Sequence, residues 1–322
     1  VNTVDAKVDL LTFYLEALID IEYFAYVANS SLDNDVTPID LSNNMPGTDI
    51  PVGTEPIRIA ITPDNAFAYV TNNGGNNVTP IDLATNTAGA TISVGSSPVG
   101  IAITPDGKFA YVVNFGDGNV TPITLATDTP GTTIAVGSIP QDIAIRPDGK
   151  FAYVTNSGSN NVTRIDLSTN MPDVTITSVG NSPGGIAITP DGAFAYVTNS
   201  GDDTVRPINL SDNTLGTPIA VGNSPQGIAI TPDGAFAYVT NGDDNNVTPI
   251  DLSDNTTLAT ISVGTNPVGI AIRPDGAFAY VTNRIDANVT PINLSNNTTL
   301  ATISVGSTPS GIAIATFISL KP

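Results

Sequence analysis

The sequence contains seven copies of a Phe-Ala-Tyr-Val segment that ends in Asn, and they recur at a nearly constant interval. The spacings between their tyrosines are 43, 42, 42, 43, 42 and 42 residues, counted over Tyr26, Tyr69, Tyr111, Tyr153, Tyr196, Tyr238 and Tyr280. A repeat of this length, built from short apolar runs and Gly, Asp or Asn turns, is typical of a β-propeller with one blade per repeat. The sequence therefore predicts an all-β, seven-bladed propeller.

Each repeat predicts four antiparallel strands, which we name A to D. In one representative repeat they cover residues 101–103, 109–113, 120–125 and 133–136, and each run is rich in β-branched or aromatic residues. A Pro-Asp-Gly or Pro-Asp-Asn turn joins A to B, because Pro presets φ, Asp caps the turn and Gly or Asn accepts a positive φ. These turns lie at 63–65, 105–107, 147–149, 190–192, 232–234 and 274–276.

The two chain ends predict how the ring closes. The Phe-Ala-Tyr segment at 24–26 has no strand A before it, whereas an unmatched strand A stands at 311–315. We expect this C-terminal strand A to pair with the N-terminal strands B, C and D, which would leave few exposed sheet edges. The predicted organisation is an apolar extension at 1–22, followed by the propeller at 23–322.

The N-terminal extension is the one part outside the repeat. Residues 8–21 are more apolar than any loop, and Leu11, Leu15, Leu18 and Glu22 fit one helix face, but periodicity does not decide between helix and strand. The segment either caps its own propeller or docks on a neighbouring copy and drives assembly. The chain starts at Val1 rather than Met, which would fit a removed signal peptide or an engineered start.

The organisation resembles the YVTN-repeat β-propeller family, named for its Tyr-Val-Thr-Asn signature. That signature is intact at 69–72, 153–156, 196–199, 238–241 and 280–283, and altered at 26–29 and 111–114. The resemblance covers roughly residues 22–316. It implies a surface-layer or other extracellular protein, located outside the cell or on its surface. More distant relatives of that family include lactonase-like propellers and a streptogramin-cleaving lyase.

Composition narrows the partners. Acidic residues outnumber basic ones by 30 to 10, for a net charge of −20, so we expect no nucleic-acid binding. The absence of Cys removes disulfides and thiolate metal sites. No apolar run reaches 18 residues, so we expect no transmembrane segment.

The missing residue types favour a protein that is not an enzyme. The chain has no His, the commonest general base near neutral pH, and so lacks the catalytic His that the resemblance to the lyase would call for. We expect a non-catalytic structural or adhesion propeller at the cell surface, associating with itself or other proteins. The alternatives are a module that binds a small ligand or cation, or a lactonase-like hydrolase.

The best candidate ligand site is the channel mouth, where D–A and B–C loops meet. Most D–A loops end in Gly, but two copies have Arg58 or Asp142 there, and Gln141 and Gln226 stand beside that position. After strand A, two copies have Arg in place of the usual Thr, namely Arg146 and Arg273. These departures predict an asymmetric polar lining. The alternative is sequence drift with local Arg–Asp compensation.

Two further features each have a structural alternative. The B–C loops contain acidic pairs that would suit calcium, or would serve as solvated turns; the strongest candidates are Asp202, Asp203, Asp243 and Asp244. No other cofactor is expected.

Repeated Asn-Val-Thr triplets are formal glycosylation acceptors, but their recurrence also follows from strand C; their asparagines are Asn77, Asn119, Asn161, Asn246 and Asn288.

Overall fold

The structure is a closed ring of seven four-stranded antiparallel blades, as the repeat predicts. A computed structural model describes residues 19–321. Strand A of each blade contacts strand A of the next around the whole ring, so these strands line the central channel. Within residues 19–321 no helix is long and apolar enough to cross a membrane.

The inner strands A and B have nearly uniform bounds. From blade 2 to blade 7, strand A covers Pro56–Ile61, Pro98–Ile103, Pro140–Ile145, Pro183–Ile188, Pro225–Ile230 and Pro267–Ile272, and in blade 1 it is Pro309–Leu320. From blade 1 onward, strand B covers Ile19–Asn29, Phe67–Asn72, Phe109–Asn114, Phe151–Asn156, Phe194–Asn199, Phe236–Asn241 and Phe278–Asn283. The predicted strands were therefore correctly placed, with one to three residues missing at their ends.

Strand C is regular, whereas strand D is mostly fragmentary. From blade 1, strand C covers Asp35–Asp40, Asn77–Asp82, Asn119–Thr124, Asn161–Asp166, Thr204–Asn209, Asn246–Asp251 and Asn288–Asn293. Strand D consists of two short pieces in five blades: Met45–Pro46 with Ile50–Pro51, Thr87–Ala88 with Ile92–Ser93, Thr129–Pro130 with Ile134–Ala135, Thr256–Thr257 with Ile261–Ser262, and Thr298–Thr299 with Ile303–Ser304. In blade 5 it is Ile219–Ala220 plus one isolated bridge, and in blade 4 it is the unbroken Met171–Thr177.

A proline in the middle of strand C explains the broken strand D. Six blades have Pro at this position, and its carbonyl accepts a bond from strand D, as in Gly47 N to Pro38 O at 2.7 Å. Proline has no N–H to donate in return, so the ladder is interrupted there. Blade 4 has Arg164 instead, which pairs with Val174, and its strand D is continuous. The interruption also shortens the exposed sheet edges of the other blades.

The ring closes as predicted. Strand A of blade 1 pairs with strand B along its length, from Val27 opposite Ile312 to Ile19 opposite Leu320. The part beyond Phe24 extends past strand C as a two-stranded ribbon, in the place where other blades have the A–B turn. Residues 19–22 of the predicted extension thus continue strand B. Residues 1–18, with the helix-face leucines and the assembly hypothesis, lie outside the described residues, and the domain boundary stays a prediction.

The hydrophobic core lies between blades rather than within one centre. At the junction of blades 6 and 7, Tyr238 and Val247 of one blade pack against Ala279, Val281 and Ile292 of the next, all at most 2 % exposed. Equivalent clusters fill the other six junctions. Each buried apolar side chain contributes about 1.5–3 kcal/mol relative to exposure. The seven signature tyrosines are therefore all used for packing between blades.

Candidate functional site at the channel mouth

The Thr of the Tyr-Val-Thr-Asn signature connects neighbouring blades at the channel. In blade 5, the Thr198 hydroxyl accepts a bond from Gly185 N at 2.8 Å, within its own blade. It donates to the Gln226 carbonyl of blade 6 at 2.9 Å. The same donation recurs from Thr71 to Val99, Thr155 to Gly184, Thr240 to Val268 and Thr282 to Ser310, at 2.6–2.9 Å. Thr thereby fixes the carbonyl of the next strand A.

The glycine that ends most D–A loops permits this close approach. A Cβ placed on Gly185 would lie 2.5 Å from the Gln226 carbonyl oxygen, and one on Gly269 would lie 2.2 Å from that of Ser310. Real Cβ atoms do not come this close to backbone oxygen, so these two junctions need glycine here.

Arg58 and Asp142 are the two departures from this glycine, and each follows a blade that lacks the signature Thr. Arg58 lies in strand A of blade 2, after blade 1 with Ala28 at the Thr position. Asp142 lies in strand A of blade 4, after blade 3 with Val113 there. Neither Ala nor Val can donate to the carbonyl of Ile57 or Gln141, in contrast to the five Thr junctions. The two charged residues and the two lost hydroxyls therefore occur together.

The Asp142 carboxyl is enclosed but still reaches the channel. Its Oδ1 accepts a bond from Ile143 N at 2.9 Å and lies 3.0 Å from the position of a Cβ on Gly100, so the carboxyl points toward blade 3. Burial raises the pKa of the Asp142 carboxyl, and the Arg58 guanidinium and the amides of Ile143 and Ile186 offset this only in part. A carboxylate of raised pKa is a stronger base than an exposed one.

Arg58 faces Asp142 across blade 3 without touching it. Its backbone N donates to Thr71 Oγ1 at 3.1 Å, which anchors the start of its strand. Among residues 19–321 the direct ion pairs lie elsewhere, and Arg58 and Asp142 do not form one. The guanidinium is nevertheless close enough to favour the charged form of Asp142. The channel mouth thus holds two opposite charges that do not pair directly with each other.

The two candidate glutamines lie at the same end of the channel. Gln141 Nε2 donates to Ser157 Oγ at 3.0 Å, and Gln226 Nε2 donates to the Ser224 carbonyl at 3.4 Å. Gln141 directly precedes Asp142, whereas Gln226 lies two blades further on. The structure therefore places Gln141 next to the charged pair, with Gln226 on another part of the same rim.

Arg146 and Arg273 lie at the opposite end of strand A, beside the A–B turn. Arg146 pairs with Asp148 at 3.1 Å, and Arg273 pairs with Asp275 in the same way. The structure does not bring either of them together with Arg58 and Asp142. They replace the Thr that in other blades donates to the turn Asp, as Thr189 does to Asp191 at 2.6 Å. This geometry corresponds to the local Arg–Asp compensation that the sequence left open.

The acidic B–C loops bond to backbone amides. Asp202 accepts from Asn181 N at 2.7 Å, Asp203 from Ser224 N at 2.9 Å and Asp244 from Asn223 N at 2.8 Å. These carboxylates fasten the B–C loops to the D–A loops, and Asp243 lies beside Asp244 in the same loop. Within residues 19–321, no group of three or more His, Cys, Asp or Glu side chains is placed to hold a metal ion. Calcium at these loops stays a prediction.

The Asn-Val-Thr asparagines begin strand C and are partly buried. Each accepts a bond from the signature Asn of strand B, for example Asn72 Nδ2 to Asn77 Oδ1 at 2.7 Å. The same bond, at 2.6–2.8 Å, reaches Asn119, Asn161, Asn246 and Asn288. The recurrence of the triplet is thereby explained by structure, and glycosylation stays a prediction.

The sequence of this chain matches that of a known family over more than half its length. The family described as "Lactonase, 7-bladed beta-propeller" matches residues 59–172 and 101–263. The chain belongs to this lactonase family. The matched residues include Asp142, whereas Arg58 directly precedes them. A search of curated proteins finds no match.

Solved structures confirm the propeller fold of this lactonase-family chain. A structure titled hydrazine synthase, from Kuenenia stuttgartiensis, has a TM-score of 0.75 and 22 % identity, covering 84 % of this chain and 97 % of that one. A functionally unknown protein from Desulfotomaculum acetoxidans has a TM-score of 0.80 and 21 % identity over 91 % and 98 %. A putative 6-phosphogluconolactonase from Bacteroides fragilis has 0.78 and 16 %, over 91 % and 98 %. At these identities the likeness shows the fold alone.

Family membership corrects one expectation from the sequence. The expectation of a protein that is not an enzyme is wrong, because the family it belongs to is one of lactonases. The error came from the absence of His, since a carboxylate can replace it as a base. Sequence reasoning found Arg58, Gln141 and Asp142 but missed Ala28 and Val113. The altered signatures at 26–29 and 111–114 were the signal that could have revealed them.

Proposed function

We propose that this protein hydrolyses a cyclic ester at the channel mouth, with Asp142 as the general base and Arg58 as the group that stabilises the oxyanion. The observation that supports this most directly is the pairing of an enclosed carboxyl of raised pKa with an uncompensated Arg at one end of the channel. The lactonase family gives the reaction class. The 6-phosphogluconolactonase title of one structural neighbour agrees with it.

The reaction needs a base and a positive charge. The Asp142 carboxylate would take a proton from water as the water oxygen bonds to the lactone carbonyl carbon. The carbonyl oxygen would gain negative charge, which the Arg58 guanidinium can stabilise in a partly enclosed site. When the ring C–O bond breaks, the proton on Asp142 passes to the leaving oxygen. The product is a hydroxy acid, and Asp142 is ionised again.

Titration of the acid released from lactones tests this function. Purified protein would be assayed with δ-valerolactone and glucono-δ-lactone near neutral pH, in a pH-stat. We expect turnover above the buffer rate, and a loss of about a hundredfold or more in kcat for Asp142→Asn and for Arg58→Gln, because each removes a group that acts in the transition state.

The chain offers matched controls in blade 4. Asp148→Asn and Arg146→Gln make the same charge changes at the other end of the same strand, and should leave kcat within about twofold of the unmodified protein. Rates equal to buffer for both lactones, or equal losses in the control variants, would exclude the proposed site.

The extracellular or surface location stays a prediction, as do the surface-layer resemblance and the association with neighbouring proteins. The ribbon of Ile19–Tyr23 with residues 316–320 exposes Ile21, Ile318 and Leu320, at 45 %, 68 % and 78 %. This exposed apolar surface is consistent with such contacts. Sedimentation of the purified protein over a concentration series would test self-association.

A further inference from the structure

We infer that Ala28 and Val113 are positioning residues for Arg58 and Asp142, and that they act through the hydroxyl they lack. This inference rests on the proposed function for its kinetic consequences, but not for its structural ones. Both side chains are fully buried and do not touch the channel. Their effect must therefore pass through the strand that each of them contacts in the next blade.

The five Thr junctions show what the hydroxyl does. One position of strand A is Gly in most blades. Each signature Thr donates to the carbonyl of the residue just before that position in the next blade, at 2.6–2.9 Å. At Gly185, Gly227 and Gly269 the atom nearest to an added Cβ is this carbonyl oxygen, at 2.5, 2.5 and 2.2 Å. At these three junctions the hydroxyl thus holds the carbonyl against the glycine of its own blade, whereas at the other two the glycine position holds Arg58 or Asp142.

The two junctions without Thr are arranged differently. At Gly100 the nearest atom to an added Cβ is the Asp142 Cα at 2.8 Å, and the Gln141 oxygen is 3.0 Å away. At Gly311 the Ile57 carbonyl oxygen remains the nearest atom, at 2.6 Å, but the Arg58 Cα also comes within 2.8 Å. Without a donor on the carbonyl, the backbone that bears each charged residue packs its Cα against the preceding glycine.

This placement orients the Asp142 carboxyl. With Cα against Gly100, Oδ1 lies over blade 3 and accepts from Ile143 N. A hydroxyl at position 113 would bond to the Gln141 carbonyl and rotate the peptide between Gln141 and Asp142. The carboxyl would then move away from Gly100 and lose part of its enclosure.

Val113→Thr is a clean test because Val and Thr have nearly the same shape. The new hydroxyl has a ready acceptor, so the fold should persist. We expect the Asp142 pKa to fall toward that of an ordinary aspartate, and kcat to drop about tenfold or more with little change in KM, since a small displacement of a reacting group is costly. The readouts are carboxyl ¹³C titration by NMR, with the Asp142 signal identified from Asp142→Asn, and lactone kinetics.

Thr240→Val is the matched control. It removes the same hydroxyl at the junction of blades 6 and 7, away from both charged residues, and should leave the Asp142 titration and kcat unchanged. For Arg58, Ala28→Thr should lower kcat more than Ala28→Val, which adds similar bulk without the hydroxyl.

Two outcomes separate the inference from the proposed function. If Val113→Thr leaves both the Asp142 pKa and kcat as they were, the inference is wrong. If the unmodified protein has no lactonase activity, the proposed function fails, and the NMR titration still decides the positioning role.

Discussion

The Tyr111 hydroxyl donates a 2.7 Å hydrogen bond to Asn170 Oδ1, across the junction of blades 3 and 4. Five other signature tyrosines make the same bond to an Asn or Asp of the next blade, at 2.9–3.2 Å. At the junction of blades 4 and 5 this bond is missing, since the Tyr153 hydroxyl and Asn213 Oδ1 do not bond to each other. Burial raises the pKa of Tyr153, and the neighbouring Arg164 guanidinium of the same blade partly offsets this. Blade 4 is also the blade with Arg164 and a continuous strand D, so its outer geometry differs from that of the others.

The tyrosine hydroxyls should therefore contribute unequally to stability. Tyr111→Phe removes a satisfied bond and leaves Asn170 without its donor, and should cost about 1 kcal/mol in the free energy of unfolding. Tyr153→Phe removes a hydroxyl that makes no bond to the next blade, and should cost less than Tyr111→Phe. Urea unfolding of both variants measures the difference; equal losses would show that Tyr153 has a partner in solution.

Two adjacent glycines of strand A in blade 5 should respond very differently to Ala. A Cβ on Gly185 would lie 2.5 Å from the Gln226 carbonyl oxygen, whereas one on Gly184 would meet Thr198 at ordinary contact distances, Oγ1 at 3.4 Å and the carbonyl oxygen at 3.9 Å. Gly185→Ala should destabilise the protein by roughly 1–3 kcal/mol through overpacking at the blade junction. Gly184→Ala should be nearly neutral. The melting temperatures of the two variants provide the measurement, and a similar shift in both would contradict the close contact.

Asp142 should make the protein less stable as the pH rises. Its pKa is raised in the folded state, so the folded protein keeps the proton over a range in which the unfolded chain, with its ordinary value of 3.8, releases it. Stability is then lost as the pH rises from about that value through the folded pKa. Asp142→Asn should be more stable than the unmodified protein at pH 7 and equally stable near pH 3, as measured by urea midpoints. The reverse order at pH 7 would mean that the charged carboxyl is well compensated.

The fold was predictable from the sequence because each repeat contains the same turn and strand signals. Pro-Asp-Gly turns, β-branched strands and the unmatched strand at 311–315 determine blade count and closure without any long-range information. Strand D was less predictable. The interruption of strand D depends on Pro38 and its equivalents in the neighbouring strand C. It therefore cannot be predicted from the residues of strand D alone.

The site was only half predictable for a similar reason. Arg58 and Asp142 are visible as breaks in the repeat, but the partners that position them belong to the preceding blade and differ from the signature only by a missing hydroxyl. Arg146 and Arg273 are equally visible breaks, yet they lie at the other end of strand A. Comparison of the repeats shows which residues differ between blades, whereas only the folded topology shows which of these residues lie close together.

Arg273 should help to close the ring. Its guanidinium lies 4.4 Å from the Tyr23 ring of blade 1 and 5.3 Å from the Phe278 ring of its own blade, so it joins the last repeat to the first. The contact with Tyr23 should contribute about 0.5–1 kcal/mol. A double-mutant cycle with Arg273→Gln and Tyr23→Leu, measured by urea unfolding, should give a coupling energy of this size. The matched cycle of Arg146→Gln with Tyr23→Leu should give none, because Arg146 contacts Phe151 in blade 4 and no residue of blade 1. Additive effects in the first cycle would assign closure to the paired strands A and B alone.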